Sequence, residues 1–294
     1  MDLRGRRKST NVEDRRGMSG ATMAAGGGIG AVIIGIIMAL FSGGGSGGGI
    51  DLGQVIGAVT GGNSSAQTTE YKPTPEEEAL KEVCEQILGS TEDVWAKVFR
   101  ENGLGTYKNP TLVFFNGSVS SACGNATAAV GPFYCSGDQK LYIDMSFFLE
   151  MKKQLGVEGT NFAYAYVIAH EIGHHVEYLT GSLNKAHSDM NRASKTEANR
   201  ISVRLELLAD YYAGVWAHYE NKQWKSLTDQ DIEKALELAQ AIGDDWLQKR
   251  AQGRIQPDLF THGTSEQRKR WLKRGYQTGD MKTSTFQIAN YNDL

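Results

Sequence analysis

The sequence predicts an α+β fold, a small sheet followed by a mainly helical C-terminal half, and three observations predict it. Short apolar runs bounded by turn residues occur only early in the body, at 111–115, 133–135 and 140–144. From about residue 145 onward apolar residues recur at helical spacing almost without interruption. Strand-like and helix-like segments are thus segregated along the chain instead of alternating. Composition fits a globular body: 22% of the 294 residues are charged and 40% are hydrophobic, which excludes a disordered or collagen-like chain. A net charge of -3, with no long basic stretch after residue 16, argues against a nucleic-acid partner.

The N-terminus reads differently from the rest. Residues 1–20 are polar and rich in arginine, and residues 21–41 form an uncharged run of 21 positions. As a helix that run would be roughly 30 Å long, about one hydrocarbon core. It is therefore expected to be a transmembrane anchor, uncleaved because no Ala-x-Ala follows Leu40. The positive-inside rule then keeps residues 1–20 cytoplasmic and places the body beyond the bacterial inner membrane. Gly26 and Gly30 make one small-xxx-small pair, a route to a homo-oligomer or a membrane-protein complex. Residues 42–72, rich in Gly, Ser, Asn and Thr, read as a flexible tether.

The folded body is expected over 73–294, one domain by size. Thr74-Pro75-Glu76-Glu77 is a helix start: a capping threonine, proline in the first turn, glutamate three residues on. Helical periodicity runs over 75–88 and again over 92–101, with Ser90 and Asp93 as a second capping pair. Thr111–Phe115 reads as a strand, and 133–135 and 140–144 flank a hairpin turn at Ser136-Gly137-Asp138-Gln139. Helices are predicted at 145–155, 161–180, 194–222, 228–251 and 264–275, with the tail from Thr278 irregular or one edge strand. Of the three cysteines, Cys123 and Cys135 are expected to pair, twelve residues apart across a glycine-containing stretch, with Cys84 a buried thiol.

Chemistry concentrates at His170-Glu171-Ile172-Gly173-His174, an H-E-x-x-H inside an apolar helix. Residues four apart on a helix share a face, so both imidazoles can reach one metal ion, and Glu171 lies beside them as a general base. His175 points about 100° away and is read as non-ligating. A hydrolytic zinc site takes a third protein ligand. Glu206 and Asp210, also four apart on an apolar helix, are the best candidates: Glu206 on the metal and Asp210 orienting a ligand histidine. Ala209, Ala213 and Gly214 keep that helix face small enough for close approach. His262 is a further candidate, read from the residues as a neighbour of the helix cap at Thr264. His187 and His218 read as surface residues, and the strand 141–144 as an edge to which an extended peptide could add.

H-E-x-x-H followed by E-x-x-x-D, with Glu206 thirty-two residues after His174, resembles the gluzincin arrangement of zinc metallopeptidases. More narrowly, the chain resembles the bacterial "putative neutral zinc metallopeptidase" family. The residues that carry the likeness are MDLRGRRKSTNVEDRRG, the glycine-rich run, SACGNATAAVGPFYCSGDQKLYID, HEIGHHVE, LELLADYYAGVWAH and FTHGTSEQR. What the resemblance implies is a zincin-like peptidase domain on one N-terminal anchor, with one zinc ion on His170, His174 and Glu206 and Glu171 as base; the likeness to related gluzincins also implies, as the alternative for His262, an imidazole that stabilises charge on the attacked carbonyl. The expected activity is hydrolysis of a polypeptide substrate. Two rivals stay open, a non-proteolytic scaffold of zincin fold and a zinc amidase acting on cell-wall peptides.

Overall fold

Thr74 caps the first helix as the sequence requires. Its Oγ1 accepts from the Glu77 amide at 3.2 Å while the Glu77 carboxylate accepts from the Thr74 amide at 2.7 Å. The structure is a computed structural model that describes residues 1–18, 71–127, 130–154 and 161–294. The expected anchor over 21–41 and nearly all of the tether lie outside the described residues. In chain order the elements are β1 (Val12–Asp14), α1 (Pro75–Glu101), β2 (Thr111–Phe115), β3 (Ser118–Ser121), β4 (Gly124–Thr127), β5 (Phe133–Cys135) and β6 (Lys140–Asp144). They are followed by α2 (Met145–Gln154), α3 (Asn161–Leu179), α4 (Ser182–Met190), α5 (Lys195–Trp224), α6 (Asp229–Ala241), α7 (Asp244–Gln252) and α8 (Ser265–Thr278). The architecture is mixed α and β, mostly helical with a small sheet.

The four-stranded sheet has the order β1-β2-β6-β5, parallel at β1/β2 and β2/β6 and antiparallel at the β5/β6 hairpin. A second hairpin, β3/β4, is joined to the sheet edge by the disulfide between Cys123 and Cys135, whose Cα atoms are 5.7 Å apart. Cys84 is a buried free thiol on α1. Because β6 is flanked on both sides, it offers no free edge. The expectation that 141–144 could receive an added strand is therefore corrected.

The largest correction concerns the N-terminus. Residues 1–18 are built into the body: Val12 pairs with Leu112 and Asp14 with Phe114, and Leu3 is buried in the main core. Arg6 pairs with the fully buried Glu220, Arg7 with Glu92 at 2.8 Å, and Arg16 with Glu78 at 2.6 Å. A single membrane crossing between residues 20 and 42 would put this segment and the body on opposite faces, which the shared sheet forbids. No helix among the described residues is long and apolar enough to cross a membrane. The single-pass topology, with a cytoplasmic N-terminus and an extracytoplasmic body, is thereby overturned.

Three smaller differences have local causes. One helix, α1, replaces the two expected over 75–101, because the polar residues at its centre find buried partners, one on α5 and one within the helix. Ser90 donates to Glu220 and Thr91 Oγ1 to the Leu88 carbonyl at 2.7 Å. The helix expected over 228–251 breaks into α6 and α7 at Ile242-Gly243, where Gly243 lies against Ser265: a methyl there would sit 2.3 Å from its amide nitrogen. Beyond Thr278 the chain forms short 3₁₀ turns at Thr285–Gln287 and Tyr291–Asp293.

The core that positions the site is the packing of α3 and α8 against the long α5. Both crossings are closer than ordinary side chains permit. A methyl on Gly275 would lie 2.0 Å from the Tyr211 carbonyl oxygen, and one on Gly173 would lie 2.7 Å from that of Ala209. Gly173 belongs to the H-E-x-x-H segment, so the distance between the two histidines and α5 is set by the absence of that one methyl group. Gly173→Ala should lower stability by about 1–3 kcal/mol, the usual cost of overpacking. Urea unfolding checks it, and an unaffected variant would refute the close-packing argument.

Candidate metal centre

Helix α3 is buried on nearly every side from Phe162 to Glu177. A helix so largely buried has no reason to carry His170, His174 and two glutamates, beside His175, unless these groups are answered by partners. They are, in part by residues of α5. His170 Nε2 lies 3.2 Å from Glu206 Oε2, and His174 Nε2 lies 3.6 Å from Glu206 Oε1. One donor atom from each of His170, His174 and Glu206 falls within 4.8 Å of the others. His170 and Glu206 are buried, and His174 is partly exposed. Two imidazole nitrogens and one carboxylate at this spacing fit the protein donor set of a hydrolytic zinc site.

The other nitrogen of each ring is held by a carboxylate. His170 Nδ1 lies 2.9 Å from Asp210 Oδ1, and His174 Nδ1 lies 2.9 Å from Glu177 Oε2. An Nδ1–H donated to a carboxylate fixes ring orientation and tautomer and leaves Nε2 as the free lone pair. Asp210 is in turn clamped. Arg268, from α8, donates through Nε to Oδ2 at 2.8 Å and through Nη2 to Oδ1 at 3.0 Å, and Tyr166 Oη donates to Oδ1 at 2.6 Å. Glu177 is fully buried, and its second oxygen has no partner among the described residues.

The electrostatics follow from this closure. Burial pushes both imidazoles down, yet the charges of Asp210 on His170, and of Glu177 and Glu206 on His174, outweigh it and hold both rings above the ordinary histidine value. Glu206 is held far below the carboxylate range: burial raises it, but His174, a hydrogen bond from His170, and the charges of His262 and His170 prevail. Asp210 is held at about 2, chiefly by Arg268 and His170 acting against burial. Glu171 and Glu177 go the other way. Burial raises both, Glu177 to about 7, with the neighbouring histidines only partly offsetting it.

The structure brings together His170, Glu171, His174, Glu206 and Asp210, all singled out in the sequence. His262 is buried, on the loop before α8. His175 faces away, bonded to Tyr134 Oη at 2.8 Å and to the Lys108 carbonyl at 2.7 Å. His187 is exposed, and His218 bonds the Tyr276 carbonyl. Sequence reasoning missed Glu177, Tyr166 and Arg268. The first two carried a usable signal: Glu177 is three residues after His174 and Tyr166 four before His170, each one turn away on the same helix. Arg268 had none, since only the crossing of α8 over α5 brings it to Asp210.

Known proteins resemble this chain along most of its length. It is 44% identical over 286 residues to "Uncharacterized protein YpfJ" of Escherichia coli (strain K12), covering 95% of this chain and 96% of that protein. To "Uncharacterized protein Mb2605" of Mycobacterium bovis it is 41% identical over 211 residues, 68% of this chain and 69% of that one. "Uncharacterized protein Rv2575" of Mycobacterium tuberculosis matches to the same extent. No solved structure matches. A family model spanning residues 1–286 takes in the N-terminal strand and the metal centre alike, and by it the chain belongs to the family described as "Putative neutral zinc metallopeptidase".

Proposed function

We propose that the chain is a zinc-dependent endopeptidase in which His170, His174 and Glu206 hold one zinc ion and Glu171 is the general base. The observation that carries this reading is the convergence of two Nε2 atoms and the Glu206 carboxylate, with both Nδ1 atoms tied to carboxylates. When bound, zinc supplies Lewis acidity toward the scissile carbonyl and makes water a competent nucleophile near neutral pH. Glu171 takes the proton of the attacking water and returns it to the leaving amine as the C–N bond breaks. Asp210 and Glu177 keep the two ligand rings oriented throughout. A scaffold without catalysis has no use for a buried carboxyl at position 171, which favours the enzyme over the scaffold.

The test is incubation of the purified chain with reduced, alkylated casein, with and without a chelator. New N-termini should appear, cease with chelation and return on adding zinc. His174→Ala should lose both hydrolysis and stoichiometric metal; one zinc per chain in that variant would contradict the ligand set. Casein bound but never cut would favour the scaffold, and cleavage confined to short cell-wall peptides the amidase.

A further inference from the structure

Strand β5 touches α3 and is tied to the β3/β4 hairpin by the Cys123–Cys135 disulfide. It meets α3 at the turn that carries Glu171 and His175, four residues apart on one helix face. The Tyr134 hydroxyl lies 2.8 Å from His175 Nδ1, with the two rings edge to face at 5.2 Å. The Tyr134 amide acts on the Glu171 carboxyl as a backbone hydrogen-bond donor that favours its charged form. Residue 134 thus engages the proposed base and the residue one turn beyond it together.

Little else holds β5. It has three residues, and among the described residues it pairs with β6 alone, from Phe133 opposite Tyr142 to Cys135 opposite Lys140. Cys135, the residue after Tyr134, is fully buried, whereas Cys123 in the β3/β4 turn is partly exposed. The hairpin and β5 share a small apolar cluster with Phe115, Val119, Val130 and Tyr142, separate from the main core. The ligand helices α3 and α5 belong to the main core, through Ile172 and Leu208 among others. Opening the disulfide therefore loosens a satellite of the fold and leaves the metal ligands in place. The third cysteine does not interfere, because Cys84 is buried in the main core on α1.

We propose that the Cys123–Cys135 disulfide is a redox-operated brace on the general base, with Tyr134 as the positioning residue through which it acts. This rests on the peptidase reading above. In the oxidised chain β5 is pinned beside α3, and the Tyr134 amide keeps the Glu171 side chain in one orientation. A dithiol releases it. One thiolate of the reductant attacks the accessible Cys123 sulfur, and Cys135 leaves as a thiolate that takes up a proton. The second thiol of the reductant then displaces the Cys123 sulfur, which receives its proton. Two electrons have passed, the chain has two thiols, and the reductant has closed to a cyclic disulfide. Strand β5 is then held by its ladder and side-chain packing alone, and Glu171 loses its fixed geometry while zinc stays bound.

The experiment compares the zinc-loaded full chain before and after dithiothreitol, with reduction verified by alkylation of the freed Cys123 and Cys135 thiols. Reduction should lower kcat about tenfold, less than the roughly 10²-fold that a misplacement of about 1 Å can cost. KM should stay within about twofold, since the loss falls on the transition state, and zinc content should not change. Cys123→Ala with Cys135→Ala should turn over at the reduced rate and ignore the reagent, which separates reduction from chelation. Hydrogen exchange, read by mass spectrometry, needs no turnover. It should rise in the peptide that holds Tyr134 and stay constant over 165–172 of α3. Unchanged kcat, or unchanged exchange at Tyr134, once both thiols are alkylated would overturn the brace, as would zinc lost in step with the rate. A chain that cuts nothing even when oxidised would remove the peptidase reading itself, whereas a refuted brace leaves that reading standing.

Discussion

Glu171→Gln should keep one zinc per chain and lose nearly all hydrolysis, a fall in kcat of about 10³-fold within the range for a general base. The two halves of that outcome have separate causes. Zinc stays because the donors that converge are His170, His174 and Glu206, and the Glu171 carboxyl is not among them. Hydrolysis goes because glutamine keeps the shape of the side chain but cannot accept the proton of the attacking water. Unfolding does not confuse the result. Glu171 is buried and its ionised form is disfavoured by that burial and by the nearby Glu206 charge, so a neutral isostere should leave the melting temperature unchanged or higher. Metal content, calorimetry and product mapping on one preparation decide it, and a fully active variant would end the proposed mechanism.

What the sequence revealed and what it concealed divide along sequence separation. His170, His174, Glu206 and Asp210 were legible because each pair lies four apart on one helix, and one-turn spacing is written directly in the chain. The β5/β6 hairpin was legible for the same reason, its turn Ser136–Gln139 being local to both strands. Strand β1 was not. It has three residues, Val12-Glu13-Asp14, with two charges, and its partner β2 lies about a hundred positions on. Nothing near residue 12 signals the pairing, while the neighbouring apolar run signals a membrane strongly. Hydropathy therefore outweighed a tertiary contact it cannot register. Asp244 was concealed in the same way, since the helix break at Gly243 exists only because the backbone of Ser265 packs there. The pattern for the metal ligands is short-range, and the pattern for what orients them is partly long-range.

That distinction gives Arg268 its weight. Arg268 is 2% exposed and Asp210 fully buried, and the guanidinium meets the carboxylate through two nitrogens at 2.8 and 3.0 Å. Arg268→Met preserves much of the side-chain volume and the packing of α8 on α5. It leaves Asp210 with the Tyr166 hydroxyl and His170 Nδ1 as its remaining partners. Breaking a buried pair from one side exposes the cost of the orphaned charge, about 3–5 kcal/mol, and urea unfolding should read a loss of that size. The same change in an Asp210→Asn background should cost much less, because no charge remains to be orphaned. A double-mutant cycle thus separates charge from packing. Zinc affinity should fall about 10–100-fold as well, the loss typical when the outer partner of a ligand histidine is disturbed. If Arg268→Met costs less than about 1 kcal/mol, the charge on Asp210 is met by other groups. The chain of contacts from α8 through Asp210 to His170 would then have no part in holding the metal centre.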